Sequence, residues 1–250
     1  SLIELEAHKH TMFGKKITLF TLAGFKVQAD FSWIFIALIV MWSLATGVFP
    51  AYESGLTQGA YWIMGLCGAL GLFGSIILHE VSHSLVARRH GMPIKGITLF
   101  IFGGVASMEE EPPSARAEFL MAIAGPLASL LIGGFFFGSQ RLLMTLGAPG
   151  AIIAVLGYLW SINLLLAGFN LVPAFPLDGG RILRSAIWYW KSNLQNATRI
   201  ASRIGGGFGF LLVFIGIYFF FRGSFFSGIW WVMIGFFLRS ASQASYKQTI

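Results

Sequence analysis

The sequence predicts an all-α membrane protein, a six-transmembrane-helix bundle with small membrane-associated β-hairpin or strand elements. Three observations lead there. Of the 250 residues, 56% are apolar and only 11% charged, with a mean hydropathy of +0.75, a balance foreign to soluble domains. Several uncharged runs reach the roughly 20 residues a helix needs to cross a bilayer. The basic residues gather between alternate runs, as they do in cytoplasmic loops. The net charge of +7 is therefore read as membrane topology, with no nucleic-acid partner.

Each element follows from its local pattern. Residues 1–11, "SLIELEAHKHT", lack a cleavable-signal pattern and read as a remnant ahead of a natural start at Met12, so His8 and His10 take no role. The remainder, 12–250, is expected to form a single domain. Residues 16–30 hold short β-type runs on either side of Ala23-Gly24, predicting a hairpin at the membrane interface. The first span is expected at 31–49 and the second, after a polar loop, at 61–87. Between Pro93 and Pro113, "IKGITLFIFGGVASMEEEP" is too short and interrupted to span, and its β-rich runs flank Gly103-Gly104, predicting paired strands. The third span, 116–138, should bend at Gly125-Pro126. The fourth, 151–172, ends in "NLVPAFPLDGGR", whose prolines and glycines forbid a continuous helix. A short helix over 181–190 and spans at 204–221 and 225–238 complete the chain. The lone Cys67 lies in an apolar run, so no intramolecular disulfide forms, and packing is its role.

Orientation follows from charge. With a cytoplasmic N-terminus and six spans, every Lys and Arg except Arg141 and Arg222 falls on the cytoplasmic side, which also places both termini there.

Chemistry concentrates in "SIILHEVSHSLVARRHG", residues 75–91. His79 and His83 are four apart, so on a helix both can direct ring nitrogens at one ion. Glu80 sits about 100° round, beside such an ion, where a general base for metal-activated water belongs. Taking Arg88 as the interface, His83 lies roughly 7–8 Å and His79 roughly 13–14 Å into the bilayer. A carboxylate at membrane depth costs on the order of 2.5–3.5 kcal/mol, so Glu80 should face water or the bundle interior. His90, beyond the arginines, reads as an interfacial cap.

A catalytic tetrahedral zinc needs a third protein ligand. Of the ten acids, only Glu80 and Asp178 lie within apolar sequence at membrane depth. The broken segment around Asp178 returns to the same side as His79 and His83, and irregular backbone there is tolerable if it lines a watery cavity. Asp178 is the expected third ligand; it also reads as a cap for the helix starting near Gly179. Asn163, two turns before Asn170, reads as a packing hydrogen bond.

The motifs "HEVSH", "FGGVA", "AGPLAS" and "FNLVPAFPLDGG", in this order, resemble the site-2 proteases, the intramembrane zinc metalloproteases. The resemblance covers nearly all of the chain from Met12 and rests on motifs in three spans. It implies one zinc ion per chain held by His79, His83 and Asp178, with Glu80 as general base. The family's asparagine, eight positions before the aspartate, falls on Asn170, which would orient substrate or stabilise the oxyanion. The resemblance further implies that an extended substrate adds to a strand edge between Ile97 and Met108, with Gly103, Gly104 and Val105 as substrate-binding residues; either glycine alone reads equally as a structural bend. The implied substrates are membrane-spanning proteins, such as membrane-tethered transcriptional regulators or anti-sigma factors, in a prokaryotic cell membrane. Two rivals fit less well. A zinc transporter would spread ligands along several helices, and a scaffold with structural zinc would normally supply four.

Overall fold

The computed structural model describes residues 17–92, 94–100, 103–108 and 111–248. Two strands come first, β1 (Ile17–Leu22) and β2 (Phe25–Ala29). Their turn uses Ala23 at φ 51° and Gly24 at φ 87°, the left-handed pair that a two-residue hairpin demands. The hairpin therefore forms where expected.

The first helix, α1, runs as Phe31–Ser43, widens into a π-helical stretch at Leu44–Val48, and closes with Phe49–Tyr52. Then come α2 (Gln58–Arg89), β3 (Ile94–Phe100), β4 (Gly103–Met108), α3 (Ala115–Thr145), α4 (Gly150–Asn170), α5 (Asp178–Lys191), α6 (Leu194–Phe221) and α7 (Phe225–Gln248). Six of these helices are long and apolar enough to cross a membrane. Large apolar side chains cover their outer faces, with Phe226 93% exposed, as expected where lipid is the solvent. This is a multi-pass membrane protein. The expected spans fall inside these helices except the fourth, whose expected end at 172 lies two residues past Asn170, and the last two helices run past theirs: α6 starts ten residues before position 204 and α7 continues ten residues beyond 238.

Two local expectations need correcting. Gly103 and Gly104 do not form a turn between strands; both lie inside β4, which begins at Gly103, and the connection falls at residues 101–102, outside the described residues. α3 continues through Pro126, the position at which a bend is expected. That proline is fully buried, and packing sustains the helix despite the lost hydrogen bond. The short helix begins at Asp178 rather than 181.

The chain divides into two compact units, one of Ser1–Ser84, Pro93–Glu109 and Leu131–Asn163, the other of Leu85–Met92, Glu110–Leu130 and Leu164–Ile250. In the first, the sheet has order β1-β2-β3-β4. β1 with β2 and β3 with β4 are antiparallel, while β2 with β3 is parallel. Its helical core gathers Leu44, Phe49, Tyr61, Met64 and Ala154, with Phe49 edge-on to Tyr158. Tyr61 satisfies its hydroxyl by donating to the Glu53 carbonyl at 2.7 Å and accepting from Leu56 N–H at 3.2 Å. The Glu53 carboxylate occupies the space a Gly150 side chain would need. It thus lies at the N-terminal end of α4, where the helix dipole favours negative charge.

In the second unit, α6 and α7 form an antiparallel hairpin turned at Gly223, φ 85°. Their backbones come unusually close. A Cβ on Gly235 would stand 2.6 Å from the Gly209 carbonyl oxygen, and one on Gly228 would stand 2.8 Å from that of Gly216. Such close approach lets dispersion operate across a helix pair where lipid offers no hydrophobic drive. Gly235→Ala should force the pair apart and cost about 1–3 kcal/mol, read as lost thermal stability in detergent.

Candidate metal centre

α2 presents the two histidines. His79 and His83 are 3% and 8% exposed, and their Nε2 atoms lie 3.2 Å apart. Two imidazoles on a tetrahedral ion at about 2.0–2.1 Å would be about 3.3–3.4 Å apart, so the pair already has the spacing of two corners of that tetrahedron.

Asp178 is the first residue of α5, and Leu177 takes the N-cap position with extended backbone. The capping alternative for Asp178 therefore falls away. Tight turns lead to it: Ala174 N–H donates to the Val172 carbonyl at 2.7 Å, and Leu177 N–H to that of Ala174 at 2.9 Å. The two glycines that follow let this loop fold onto the helix start. A Cβ on Gly179 would lie 2.3 Å from the carbonyl oxygens of Leu171 and Val172, and one on Gly180 would lie 2.7 Å from the Ala174 carbonyl carbon. No side chain fits at either position.

One ligand atom from each of His79, His83 and Asp178 lies within 4.8 Å of the others. Two imidazole nitrogens and a carboxylate oxygen are the donor set of an open zinc site. The residues fit that metal.

The other candidate residues are placed as follows. Glu80 follows His79 on α2, half-buried, and its carbonyl accepts the Ser84 hydroxyl at 2.9 Å. Asn170 ends α4 and donates its amide to the Leu166 carbonyl at 3.0 Å, a bond within its own helix. Gly103, Gly104 and Val105 sit on β4, paired with Phe100, Leu99 and Thr98, and β4 is an edge of the sheet among the described residues. Asn163 makes the packing bonds expected of it, to Ser75 Oγ at 2.9 Å and the Leu159 carbonyl at 2.8 Å. His90 Nδ1 is 2.9 Å from the Val86 carbonyl at the end of α2, as a cap should be.

The sequence reading missed a buried ion pair on the helix that carries Asp178. Arg184 and Glu118 are 5% and 0% exposed. Arg184 Nε donates to Glu118 Oε1 at 2.7 Å, its Nη2 donates to the same oxygen, and Nη2 also reaches Glu111 at 3.4 Å. The guanidinium lies 5.6 Å from the centre of the Phe175 ring, within cation–π range. One turn earlier, burial pushes the Arg181 guanidinium below its ordinary value and the Glu118 carboxylate opposes the shift; it stays cationic. A signal existed in the spacing. Gly180 and Arg184 are four apart, on one face of an amphipathic short helix, and both are buried together with the neighbouring Gly179 and Ser185.

Comparison with known proteins agrees with this architecture. The sequence model of Peptidase family M50 matches residues 67–149 and 145–213. The zinc metalloprotease MJ0392 of Methanocaldococcus jannaschii is 40% identical over 151 residues, 58% of this chain and 41% of its own length. The Synechocystis sp. protein sll0528, which carries a provisional zinc-metalloprotease description, is 41% identical over 229 residues, 91% of this chain. The chain spans only 59% of that relative's length. Among solved structures, the site-2 protease from Methanocaldococcus jannaschii superposes with a TM-score of 0.58 at 27% identity, covering 93% of this chain and 95% of that one. The M50 match extends from residue 67 to residue 213, more than half of the chain, and it includes both the histidine pair and Asp178; the chain belongs to Peptidase family M50 and has the site-2 protease fold.

Proposed function

We propose that this chain hydrolyses peptide bonds of membrane-spanning proteins, within or beside the bilayer, using one zinc ion held by His79, His83 and Asp178. The observation that carries the reading is the convergence of those three ligand atoms to within 4.8 Å. When bound there, zinc supplies charge that polarises the scissile carbonyl and acidifies a water molecule.

The rest is work for the chain's own residues. Glu80, one step round the helix from His79, takes a proton from the attacking water and later delivers it to the leaving amine nitrogen. Asn170 turns its amide from the Leu166 carbonyl toward the oxygen on which negative charge develops. The substrate arrives extended, because a helical peptide keeps its carbonyls in its own ladder. The edge of β4 at Gly103, Gly104 and Val105 receives it by main-chain hydrogen bonding. Positive charge on alternate loops favours cytoplasmic termini, which puts the site toward the cytoplasmic leaflet and suits membrane-tethered regulators as substrates.

The test pairs metal analysis with cleavage. Purified protein should hold close to one zinc per chain and cut a reconstituted single-span protein. A strong chelator should remove both metal and cleavage, and added zinc should restore both. Zinc flux into proteoliposomes without any cleavage would replace this reading with transport.

A further inference from the structure

The loop that presents Asp178 is gripped by the final helix, which supplies no metal-ligand candidate. Ser242, on α7, is fully buried, and its hydroxyl donates to the Phe175 carbonyl oxygen at 3.1 Å. Phe175 lies three residues before Asp178, in the loop, and is itself buried. Beside this bond, α6 contributes Gly205, whose backbone presses so close that a Cβ there would stand 2.6 Å from Ser242 Oγ, 3.1 Å from Ala174 Cα and 3.2 Å from Phe175 N. Below it, Ala174 packs into a core cluster with Leu212 and Leu238, at 0%, 6% and 1% exposure. The loop therefore rests on an apolar seat, and the Ser242 hydroxyl bonds its backbone there.

A carbonyl buried at membrane depth must find a donor, since the alternative is an unsatisfied polar group in a medium without water. Ser242 meets that need at a residue whose backbone leads directly into the ligand. The M50 match ends at residue 213, so α7, which begins at Phe225, lies outside the matched segment.

We propose, resting on the zinc reading above, that Ser242 is a positioning residue for the metal centre: through the Phe175 carbonyl it fixes the loop that aims the Asp178 carboxylate. The last span is then part of the metal-binding apparatus, although it contributes no ligand. Its effect falls on the geometry of one carboxylate, and outer-shell partners of that kind typically alter metal affinity by about 10–100-fold when removed.

The experiment uses the whole chain in detergent and compares wild type, Ser242→Ala and Val232→Ala. Val232 packs against Gly216 where α6 meets α7, away from the loop, so its truncation reports general loosening of the helix pair. Zinc affinity is measured by competition with a chelator, the visible spectrum of the cobalt-substituted protein is recorded, and thermal stability is followed alongside. Ser242→Ala should lower zinc affinity about 10-fold and alter the cobalt bands. Val232→Ala should lose stability while keeping wild-type affinity and spectrum. Wild-type affinity and spectrum in Ser242→Ala would overturn the positioning role and leave the zinc reading intact. Equal affinity losses in the two variants would also overturn it, by assigning the effect to loosened packing. Failure of the wild-type chain to bind zinc would overturn the zinc reading itself, and the role of Ser242 with it.

Discussion

A Glu80→Gln protein will fold and keep its zinc, and will lose cleavage by roughly 10²–10⁴-fold, the usual contribution of a positioned acid or base. The proposed ligands are His79, His83 and Asp178, whose ligand atoms lie within 4.8 Å of one another, and Glu80 stands outside that set, so metal content should match wild type. The amide is nearly the size of the carboxyl group and can still form hydrogen bonds, but it cannot accept the proton from water. Metal analysis and the initial rate on a reconstituted single-span protein, measured on the same preparation, check both halves. Undiminished cleavage with full zinc would remove Glu80 from the mechanism. Loss of zinc together with activity would make it a ligand or a support for one.

The second large effect concerns stability. Truncating either member of the buried Arg184–Glu118 pair should destabilise the protein by about 3–5 kcal/mol, because the survivor is left as an uncompensated charge where water cannot reach it. Arg184→Ala and Glu118→Ala should each show this loss in denaturant or thermal unfolding. Replacing both residues with apolar side chains of similar volume should cost far less than either single change, since the desolvation of two charges disappears along with their attraction. Glu111→Ala should be mild by comparison. Its side chain is 47% exposed, and exposed ion pairs contribute little. A Glu111 effect as large as that of Glu118 would contradict this ordering.

The features legible in the sequence were those whose cause is local. Six apolar runs declared the helices, and Ala23-Gly24 declared the β1–β2 turn, because each signal lies within the element it specifies. The histidine pair was legible for the same reason, through a spacing of four. Asp178 was reachable by elimination, since the membrane leaves so few acids unexplained. What escaped depends on distant partners. By sequence Glu118 is an acid at the edge of a span and Arg184 one more basic residue on the cytoplasmic side; only folding joins positions 66 apart in sequence. The bond from Ser242 to Phe175, 67 residues apart, left no local trace at all. Gly103 and Gly104 misled because glycine pairs usually mark turns, whereas here they begin a strand.

One property of the sheet bears on how the molecule is made. Val27 pairs with Ile97 across the parallel β2–β3 junction, and two complete spans are encoded between them. A ribosome releases the first hairpin long before its neighbour exists, so β2 must wait with one row of backbone donors and acceptors open while α1 and α2 enter the bilayer. Closing a loop of about 70 residues is slow for entropic reasons alone. During biogenesis the sheet is thus finished late, and until then the β1–β2 ribbon is open to pairing with the wrong strand.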